Sequence, residues 1–180
     1  MNKKGILRIL AIVLIFIASV GLDRITKVYI REHVHVGSDN IFVIKNFFTI
    51  LHAENTGAFL SLGDSLENPW RFILLSLLPL IALAFGIGYV MFKPSIGNLT
   101  TIGIILVIAG GAGNLYDRMM YGSVTDFMHM NFQIFQTGVF NVADVSIMVG
   151  MGLILLESWK KDKAAKKKQQ EEADAETTPA

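Results

Sequence analysis

The feature that most constrains the fold is residues 72–92, which contain no charged side chain over 21 positions. A helix needs roughly 20 mostly apolar residues to cross the hydrocarbon core of a bilayer. Three further segments are nearly as apolar, and the four predicted spans cover about residues 5–22, 72–92, 99–117 and 139–158. Because lipid offers the backbone no hydrogen-bond partners, all four are expected to be helical. The sequence therefore predicts a mainly α-helical membrane protein with four transmembrane helices.

Composition agrees with a membrane protein and excludes several other classes. Only 17% of the 180 residues are charged, against about 25% in ordinary soluble domains. Lys and Arg cluster near the chain ends rather than on a folded face, so we expect no nucleic-acid partner. Cysteine is absent, and the four histidines form no recognisable metal-ligand pair, so we expect no metal site.

The first span has a second interpretation, which is a cleaved secretory signal peptide. It begins with basic residues, continues with an apolar stretch, and has small residues at Ala18, Ser19 and Gly21. Three further spans follow, however, and a helical pattern continues past Gly21 through Asp23 and Lys27. We therefore predict a retained helix.

The Lys and Arg residues beside the spans predict the orientation. Ten lie at the N-terminus, in the connection between spans two and three, and in the C-terminal tail, whereas six lie in the other loops. Both termini are therefore expected to face the cytoplasm. Residues 1–159 are predicted to form one membrane domain. Residues 160–180 are a charged tail, for which we predict a frayed helix passing into disorder.

The long loop after the first span predicts a small extracytoplasmic β-cradle over about residues 37–64. β-Branched and aromatic residues recur at 41–44, 47–51 and 57–62, and turn-like residues separate them. Their large apolar side chains either rest on the membrane surface or form a small packed core, and both interpretations remain open. These side chains are Phe42, Phe47, Phe48, Phe59 and Leu60.

Four aspartates lie at the predicted non-cytoplasmic ends of the spans: Asp23, Asp117, Asp126 and Asp144. A charge at membrane depth costs at least ~2.5–3.5 kcal/mol, so each needs a reason. Asp23 precedes Lys27 by four residues, which is the favourable order for an ion pair on one helical face. For this pair, a structural contact at a helix end is as good an explanation as a functional one.

Residues 110–118 read GGAGNLYDR and combine small with polar side chains. If the helix continues, four residues share one face: Gly110, Asn114, Asp117 and Arg118. Small residues let a neighbouring backbone approach closely. We therefore expect amide, carboxylate and guanidinium groups to meet at one point. The alternative is a glycine-rich packing seam that ends in an Asp–Arg pair.

The remaining two aspartates lie in short motifs, Asp126 in GSVTDF and Asp144 in FNVAD, three residues after Asn141. Taken alone, Asp126 is explained as a residue at the end of a strand, and Asp144 as a cap of the fourth helix. Together, two close carboxylates that share a proton supply both a base that activates water and an acid that protonates the leaving group. The residues thus predict a membrane-embedded acid/base pair that titrates as a unit.

Five motifs in a fixed order resemble the lipoprotein signal peptidase (signal peptidase II) family over about residues 22–147. They are DRITK at 23–27, ENTGAF at 54–59, GGAGNLYDR at 110–118, GSVTDF at 122–127 and FNVAD at 140–144. The resemblance implies an aspartic endopeptidase without a cofactor. Its substrates would be prolipoproteins carrying a diacylglyceryl group on a cysteine, and it would cut just before that cysteine.

The resemblance also implies roles for residues and partners. Asp126 and Asp144 would be the catalytic dyad. Six residues would line or support the site: Asn55, Gly57, Asn114, Arg118, Asn141 and Ala143. Three would hold the scaffold: Asp23, Lys27 and Asp117. The family's inhibitor globomycin would bind this site, and the expected setting is lipid of a bacterial cytoplasmic (inner) membrane, with the site toward the outer side and the protein a monomer.

Two departures from the family pattern concern the wall that faces the substrate. The family often has Trp-Pro shortly before the second catalytic motif, whereas this chain has Gly138-Val139. Its Asn-x-Gly-Ala motif is usually followed by Ala-Phe, whereas Phe59-Leu60 follows Ala58 here. We expect these differences to affect substrate or inhibitor fit and not the reaction.

A small proton-coupled transporter or channel is the alternative function, because intramembrane carboxylates also form proton relays. A relay needs acids along a path through the bilayer, whereas these acids crowd one rim. The middles of the second and third spans carry no charge, and no inverted repeat is visible. The distribution of the acids therefore favours the peptidase.

Overall fold

The computed structural model describes residues 3–37, 40–57, 63, 65–93 and 96–177. Four long helices carry the fold: α1 (Lys3–His33), α2 (Trp70–Phe92), α3 (Asn98–Tyr121) and α4 (Val142–Thr177). Each contains a stretch long and apolar enough to cross a membrane. Three antiparallel strands form one sheet in the order β1 (Ile41–Ile44), β2 (Phe48–Asn55), β3 (Val124–Met130). The predicted architecture of four membrane helices with a small sheet is confirmed.

Helix α1 continues well beyond residue 22, where the predicted first span ends. Asp23 and Lys27 lower the local hydropathy, but both side chains are buried inside the bundle, at 1% and 0% exposure. Their pairing within one helical face lets the helix run on to His33. The loop that leads to β1 therefore starts only after His33.

Helix α2 changes its hydrogen-bonding pattern near its start. It is α-helical at Trp70–Phe72, π-helical at Ile73–Leu77 and α-helical again at Leu78–Phe92. Pro79 lies in the first turn after the π-helical stretch. Proline has no N–H to donate and its ring needs room beside the carbonyl four residues earlier, which accounts for the wider turn there.

Helix α3 is the centre of the bundle and packs against the other three helices. Small residues bring its backbone close to that of α4. A Cβ atom added at Gly103 would lie 2.5 Å from the Gly150 carbonyl oxygen, and one added at Gly150 would lie 2.5 Å from the Gly103 carbonyl oxygen. Gly110 lies in the same way against the backbone of Ala143. The two helices therefore meet backbone to backbone.

The sheet differs in one strand from the prediction. Residues 41–44 form β1 and residues 48–51 form the first half of β2, but the third strand, β3, comes from the connection between α3 and α4. The predicted strand at 57–62 falls largely on residues 58–62, including Phe59 and Leu60, which lie outside the described residues. The sheet thereby joins two distant parts of the chain.

The apolar cluster beside the sheet includes none of Phe42, Phe47 and Phe48, for which a packed core was one of two open interpretations. Its buried members are Ile30, Val34 and Phe127, with Ile50, Met128 and Val142 packed against them. All four β1 side chains are exposed, Phe42 among them at 65%. Because β1 is at the edge of the sheet and its side chains are exposed, they stay outside this cluster.

The C-terminal tail is more regular than predicted. Helix α4 continues without a break to Thr177, where we expected a frayed helix passing into disorder. The segment is rich in Ala, Lys, Glu and Gln, which are strong helix formers. Ion pairs four residues apart add to this, with Lys161 Nζ 3.1 Å from Glu157 Oε1 and Lys167 Nζ 3.5 Å from Glu171 Oε1.

Candidate active site

Asp126 lies in β3 and faces the junction between the sheet and the helices. Its side chain is almost fully buried, at 3% exposure. Asn55, from the end of β2, donates Nδ2–H to Asp126 Oδ2 over 2.9 Å, and Asn141 donates Nδ2–H to Oδ1 over 2.6 Å. Two amides from distant parts of the chain therefore hold both oxygens of one carboxylate.

Asp144 lies in the first turn of α4 and is half-buried. Its Oδ2 accepts from the backbone N–H of Asn141 over 3.1 Å, and its own backbone N–H donates to Asn141 Oδ1 over 3.0 Å. This reciprocal pair caps the helix. Asn114 donates Nδ2–H to Asp144 Oδ1 over 2.8 Å. Asp144 thus caps α4, as one of its two explanations predicted, and also faces the polar centre.

Asn141 connects the two carboxylates. Its side-chain Nδ2 donates to Asp126 Oδ1, its backbone N–H donates to Asp144 Oδ2, and the side chain is fully buried. Nδ2 also lies 3.1 Å from Asn114 Oδ1, so Asn114 contacts both Asn141 and Asp144. The structure therefore brings Asp126, Asp144, Asn55, Asn114 and Asn141 together around one point.

The electrostatics at this point favour a carboxyl group that holds a proton. Burial is the main cause that raises the pKa of Asp126 from 3.8 to about 6, and the negative charge of Asp144 raises it further. Hydrogen bonds from Asn55 and Asn141 and the charge of Lys27 oppose this rise. Among the described residues, no group of three or more His, Asp or Glu side chains is arranged to hold a metal ion. The site thus contains two carboxyl groups, Asp126 and Asp144, and the charge of Asp144 affects the pKa of Asp126.

Lys27 is the centre of a buried network beside the dyad. Its Nζ lies 3.0 Å from Asp23 Oδ2, 3.0 Å from Asp117 Oδ2 and 2.8 Å from Asn114 Oδ1. Asp23 Oδ1 in turn accepts from the backbone N–H of Ala143 over 2.9 Å. These contacts tie α1, α3 and α4 together directly behind Asn114. Burying charges in this way requires full pairing, which the three partners of Lys27 supply.

The expected convergence of Asp117 and Arg118 is wrong. Asp117 points toward α1, where it pairs with Arg24, Lys27 and Arg31. Arg118 donates to the Gly57 carbonyl oxygen over 2.8 Å. Neighbouring residues on a helix project about 100° apart, so they reach different partners. The backbone N–H of Gly57 donates to Asn55 Oδ1 over 3.0 Å, and Arg118 thereby supports the loop that carries Asn55.

A cavity of about 270 Å³ lies beside this loop, between the end of β2 and the start of α2. The guanidinium groups of Arg71 and Arg118 are on its wall. Arg71 donates to the Thr56 carbonyl oxygen over 2.8 Å. Arg118 therefore both lines the cavity and supports the loop that follows Asn55.

Several polar residues of this region were missed by the sequence analysis: Arg24, Arg31, Glu54, Ser123 and Thr125. One signal was present, because Asp23, Lys27 and Arg31 recur at a spacing of four and so share one helical face. For the strand residues no such signal existed, since their contacts depend on the pairing of β2 with β3.

Comparison with known proteins identifies the family. Residues 15–160 match the model of the signal peptidase (SPase) II family. The chain is 38% identical to a lipoprotein signal peptidase of Solibacter usitatus over 138 residues, which is 76% of this chain and 83% of the relative. It is 37% identical to that of Clostridioides difficile, covering 77% and 87%.

Solved structures agree with this match. A bacterial membrane enzyme solved in meso at 2.3 Å superposes with a TM-score of 0.74 at 29% identity, covering 84% of this chain and 89% of the other. A second, solved at 1.9 Å, gives 0.69 at 26% identity, covering 82% and 91%. These matches support a multi-pass bacterial membrane protein and a peptidase, and they do not support the alternative of a proton-coupled transporter. The chain belongs to the signal peptidase II family, and it is a lipoprotein-processing peptidase.

Proposed function

We propose that the chain is an aspartic endopeptidase whose catalytic dyad is Asp126 and Asp144. Its substrates are prolipoproteins that carry a diacylglyceryl group on a cysteine, and it cuts just before that cysteine. The observation that supports this most is the bridge through Asn141, whose side-chain Nδ2 donates to the carboxylate of Asp126 in β3 and whose backbone N–H donates to the carboxylate of Asp144 in α4. Membership in the signal peptidase II family supports the peptidase activity, and the name of the relatives supports the substrate class.

The dyad performs hydrolysis by moving two protons. The ionised carboxylate takes a proton from a water molecule, whose oxygen attacks the carbonyl carbon of the scissile bond. The protonated carboxyl group donates its proton to the carbonyl oxygen, which gives a neutral tetrahedral intermediate. As the C–N bond breaks, the carboxyl group that took the water proton gives it to the leaving nitrogen. The other carboxylate takes a hydroxyl proton from the intermediate, so the carbonyl re-forms as a carboxylic acid and the pair again holds one proton. The raised pKa of Asp126, about 6, suits a pair that holds one shared proton near neutral pH.

The residues around the dyad hold it in place and bind the substrate backbone. Asn55 and Asn114 each donate to one carboxylate, so they fix the orientation of Asp126 and Asp144. Arg118 supports Gly57 and also lies on the wall of the neighbouring cavity, where it is placed to donate to a substrate carbonyl. This cavity is also where we propose that globomycin binds.

The buried charges behind the site have a scaffolding role. Lys27 pairs with Asp23 and Asp117, and Asp23 holds the backbone of Ala143 one residue before Asp144. None of these three side chains contacts Asp126 directly in the hydrogen bonds described. We propose that they set the relative position of α1, α3 and α4, and hence of Asn114 and Asp144.

The proposed topology has both termini in the cytoplasm and the sheet on the outer side of a bacterial cytoplasmic membrane. The substrate's acyl chains then stay in the lipid while its scissile bond reaches the dyad, and the enzyme works as a monomer.

The chain has no native cysteine, so single introduced cysteines report which side of the membrane a residue faces. In intact cells, a membrane-impermeant maleimide should label Ile134→Cys, which is 96% exposed beside the sheet, and not Gln170→Cys on α4. The reverse labelling would overturn this topology.

The experiment that tests the function is cleavage of a purified diacylated prolipoprotein by the purified protein in detergent. The wild type should release a product whose mass corresponds to cleavage just before the modified cysteine. Asp126→Asn and Asp144→Asn should each lower the rate by about 10²–10⁴-fold. Asp162→Asn, which makes the same change on the exposed part of α4, should cleave like the wild type. Wild-type rates in either dyad variant would refute the assignment.

A further inference from the structure

Glu54 directly precedes Asn55 in β2, yet the sequence analysis gave it no role. Its Oε1 accepts from His52 Nε2 over 2.8 Å and from Thr125 Oγ1 over 2.9 Å, and its Oε2 accepts a short hydrogen bond from Ser123. The Glu54 side chain remains 30% exposed, whereas Thr125 is fully buried. One partly exposed carboxylate thus binds three donors, from β2, from β3 and from the residue just before β3.

Arg31 links this carboxylate to the helices. Its Nε donates to Thr125 Oγ1 over 2.6 Å, and its Nη2 lies 3.2 Å from Asp117 Oδ1. A hydroxyl group has a single hydrogen, so Thr125 accepts from Arg31 and donates to Glu54. The guanidinium also lies over the ring of Tyr121, 3.6 Å from its centroid. The chain Arg31–Thr125–Glu54 therefore has a fixed direction and connects α1 with both strands.

The position of this chain in the sheet relates it to the dyad. Glu54 and Thr125 are direct partners across β2 and β3. Successive strand residues point to opposite faces, so the next residues along each strand, Asn55 and Asp126, lie on the other face of the same ribbon. The contact of Glu54 with Thr125 therefore lies on one face of β2 and β3, and the contact of Asn55 with Asp126 lies at the same position on the opposite face.

The strand register at this point needs support. A slip of one residue would turn Asp126 away from Asp144, because side chains alternate between the faces. The pairing of β2 with β3 is already irregular between Ile50 and Ala53. A polar contact beyond this irregularity would hold the register where the catalytic residues are.

We propose that Glu54, Thr125 and Arg31 form a positioning cluster that fixes Asp126 and Asn55 for catalysis. The proposal rests on the proposed function, in which Asp126 is a catalytic residue. The cluster acts through the strands and does not contact the reacting atoms. Its loss should therefore lower the catalytic rate constant and leave substrate binding nearly unchanged.

The charge state of Glu54 agrees with this role. Burial alone would raise its pKa, but the hydrogen bonds from Ser123, His52 and Thr125, together with the positive charge of Arg31, hold the pKa below its ordinary value. Glu54 is therefore an acceptor at neutral pH, as its three donors require. The titratable groups that face it are His52 of β2 and Arg31 of α1.

The test uses matched variants in the detergent cleavage assay, with kcat and KM measured separately. Thr125→Val keeps the shape and removes the hydroxyl group, so kcat should fall about 10–100-fold while KM stays within about threefold, since small misplacements of catalytic groups cost about that much. Thr125→Ser keeps the hydroxyl group and should restore most of kcat. Glu54→Gln should resemble Thr125→Val, whereas Glu32→Gln, an exposed change on α1, should be silent.

Three outcomes would overturn the proposal. These are a wild-type kcat in both Thr125→Val and Glu54→Gln, a Thr125→Ser variant as slow as Thr125→Val, or a rise in KM with kcat unchanged. Thermal melting of each variant shows whether a loss of kcat comes from unfolding. Asp126→Asn, assayed beside them, separates the two claims. If it cleaves normally, the proposed function fails, and if it is inactive while the cluster variants are normal, only the positioning cluster fails.

Discussion

The two ends of the helix bundle are held together in different ways. At the end next to the three strands, here called the sheet end, Lys27, Asp23 and Asp117 are fully buried and paired with one another. At the opposite end, here called the tail end, Gly103 and Gly150 bring the backbones of α3 and α4 into contact. Close backbone contacts between α3 and α4 also reach the sheet end, at Gly110 and Ala143, so the buried charges are what the sheet end adds.

The difference shows what the chemistry of the site requires. Small residues give close packing in a membrane without the cost of burying charges, which makes the tail end the simpler design. The sheet end keeps a paired lysine and two aspartates out of water, and such networks are weak evidence for stability by themselves. Their contacts with Asn114 and Ala143 place Asp144 on α4 relative to Asp126. We infer that this end is arranged for the dyad.

Removing the central cation should have the largest effect on stability. Lys27→Met leaves Asp23 and Asp117 without their shared partner, and breaking a buried ion pair from one side costs about 3–5 kcal/mol. We expect a large fall in the melting temperature in detergent and loss of cleavage. The matched change at the tail end, Lys161→Met, removes an exposed pair with Glu157 and should cost at most about 1 kcal/mol. Equal losses of stability in the two variants would contradict the proposed difference between the sheet end and the tail end.

Enlarging a small residue at the tail end should have the next largest effect. A Cβ atom at Gly103 would come 2.5 Å from the Gly150 carbonyl oxygen, so Gly103→Ala must push α3 and α4 apart, at a cost of about 1–3 kcal/mol. Gly152 also lies in α4 but has nothing within 4 Å of an added Cβ, and Gly152→Ala should stabilise the helix by about 0.5–1 kcal/mol. Melting temperatures of the two variants check the prediction, and a harmless Gly103→Ala would contradict the backbone contact.

Removing a single polar contact at the tail end should have the smallest effect. Arg8 Nη2 donates to Thr101 Oγ1 over 2.8 Å and also to the Ile96 carbonyl oxygen over 3.3 Å. Thr101→Val removes one of these partners, and we expect a loss of about 0.5–1.5 kcal/mol with normal cleavage. Thr101→Ser keeps the hydroxyl group and should melt like the wild type. A strong loss of activity in Thr101→Val would show that the tail end also serves the catalytic site.

Much of the fold could be predicted because lipid makes the hydropathy signal strong. Residues 72–92 could be assigned as a span from the absence of charges alone. The same signal misplaced the end of α1, because Asp23 and Lys27 look like a helix end until their burial against α3 is known. The extended stretch around Asp126 was not assigned to the sheet, since β3 pairs with β2, about 70 residues earlier in the chain.

The site was predictable in part. Asn141 and Asp144 lie three residues apart on one helix start, so their contact follows from local geometry. The contact of Asn55 with Asp126 depends on strand register, which single-sequence patterns do not define. Asn55 and Asp126 were assigned to the site through the motif resemblance, because the local sequence pattern does not predict their contact. Glu54 lay outside the roles that the resemblance assigned, and only its three hydrogen bonds single it out.

The most direct test of this account is the pH dependence of unfolding for the wild type and Asp126→Asn in detergent. The sheet end raises the pKa of Asp126 from 3.8 to about 6, so the folded protein binds this proton more tightly than the unfolded chain does. As the pH rises between these two pKa values, the ionisation of Asp126 lowers the free energy of unfolding of the wild type. Asp126→Asn has no ionisable group at this position, so it lacks this pH-dependent loss.

The melting temperature of Asp126→Asn minus that of the wild type should therefore increase from about pH 4 to about pH 7, by an amount equivalent to about 3 kcal/mol. The offset from altered hydrogen bonds to Asn55 and Asn141 does not depend on pH and leaves this slope intact. Asp162→Asn, at an exposed position of α4, should show a constant difference. A flat or falling difference for Asp126→Asn would contradict the claim that the sheet end holds a protonated carboxyl group for catalysis.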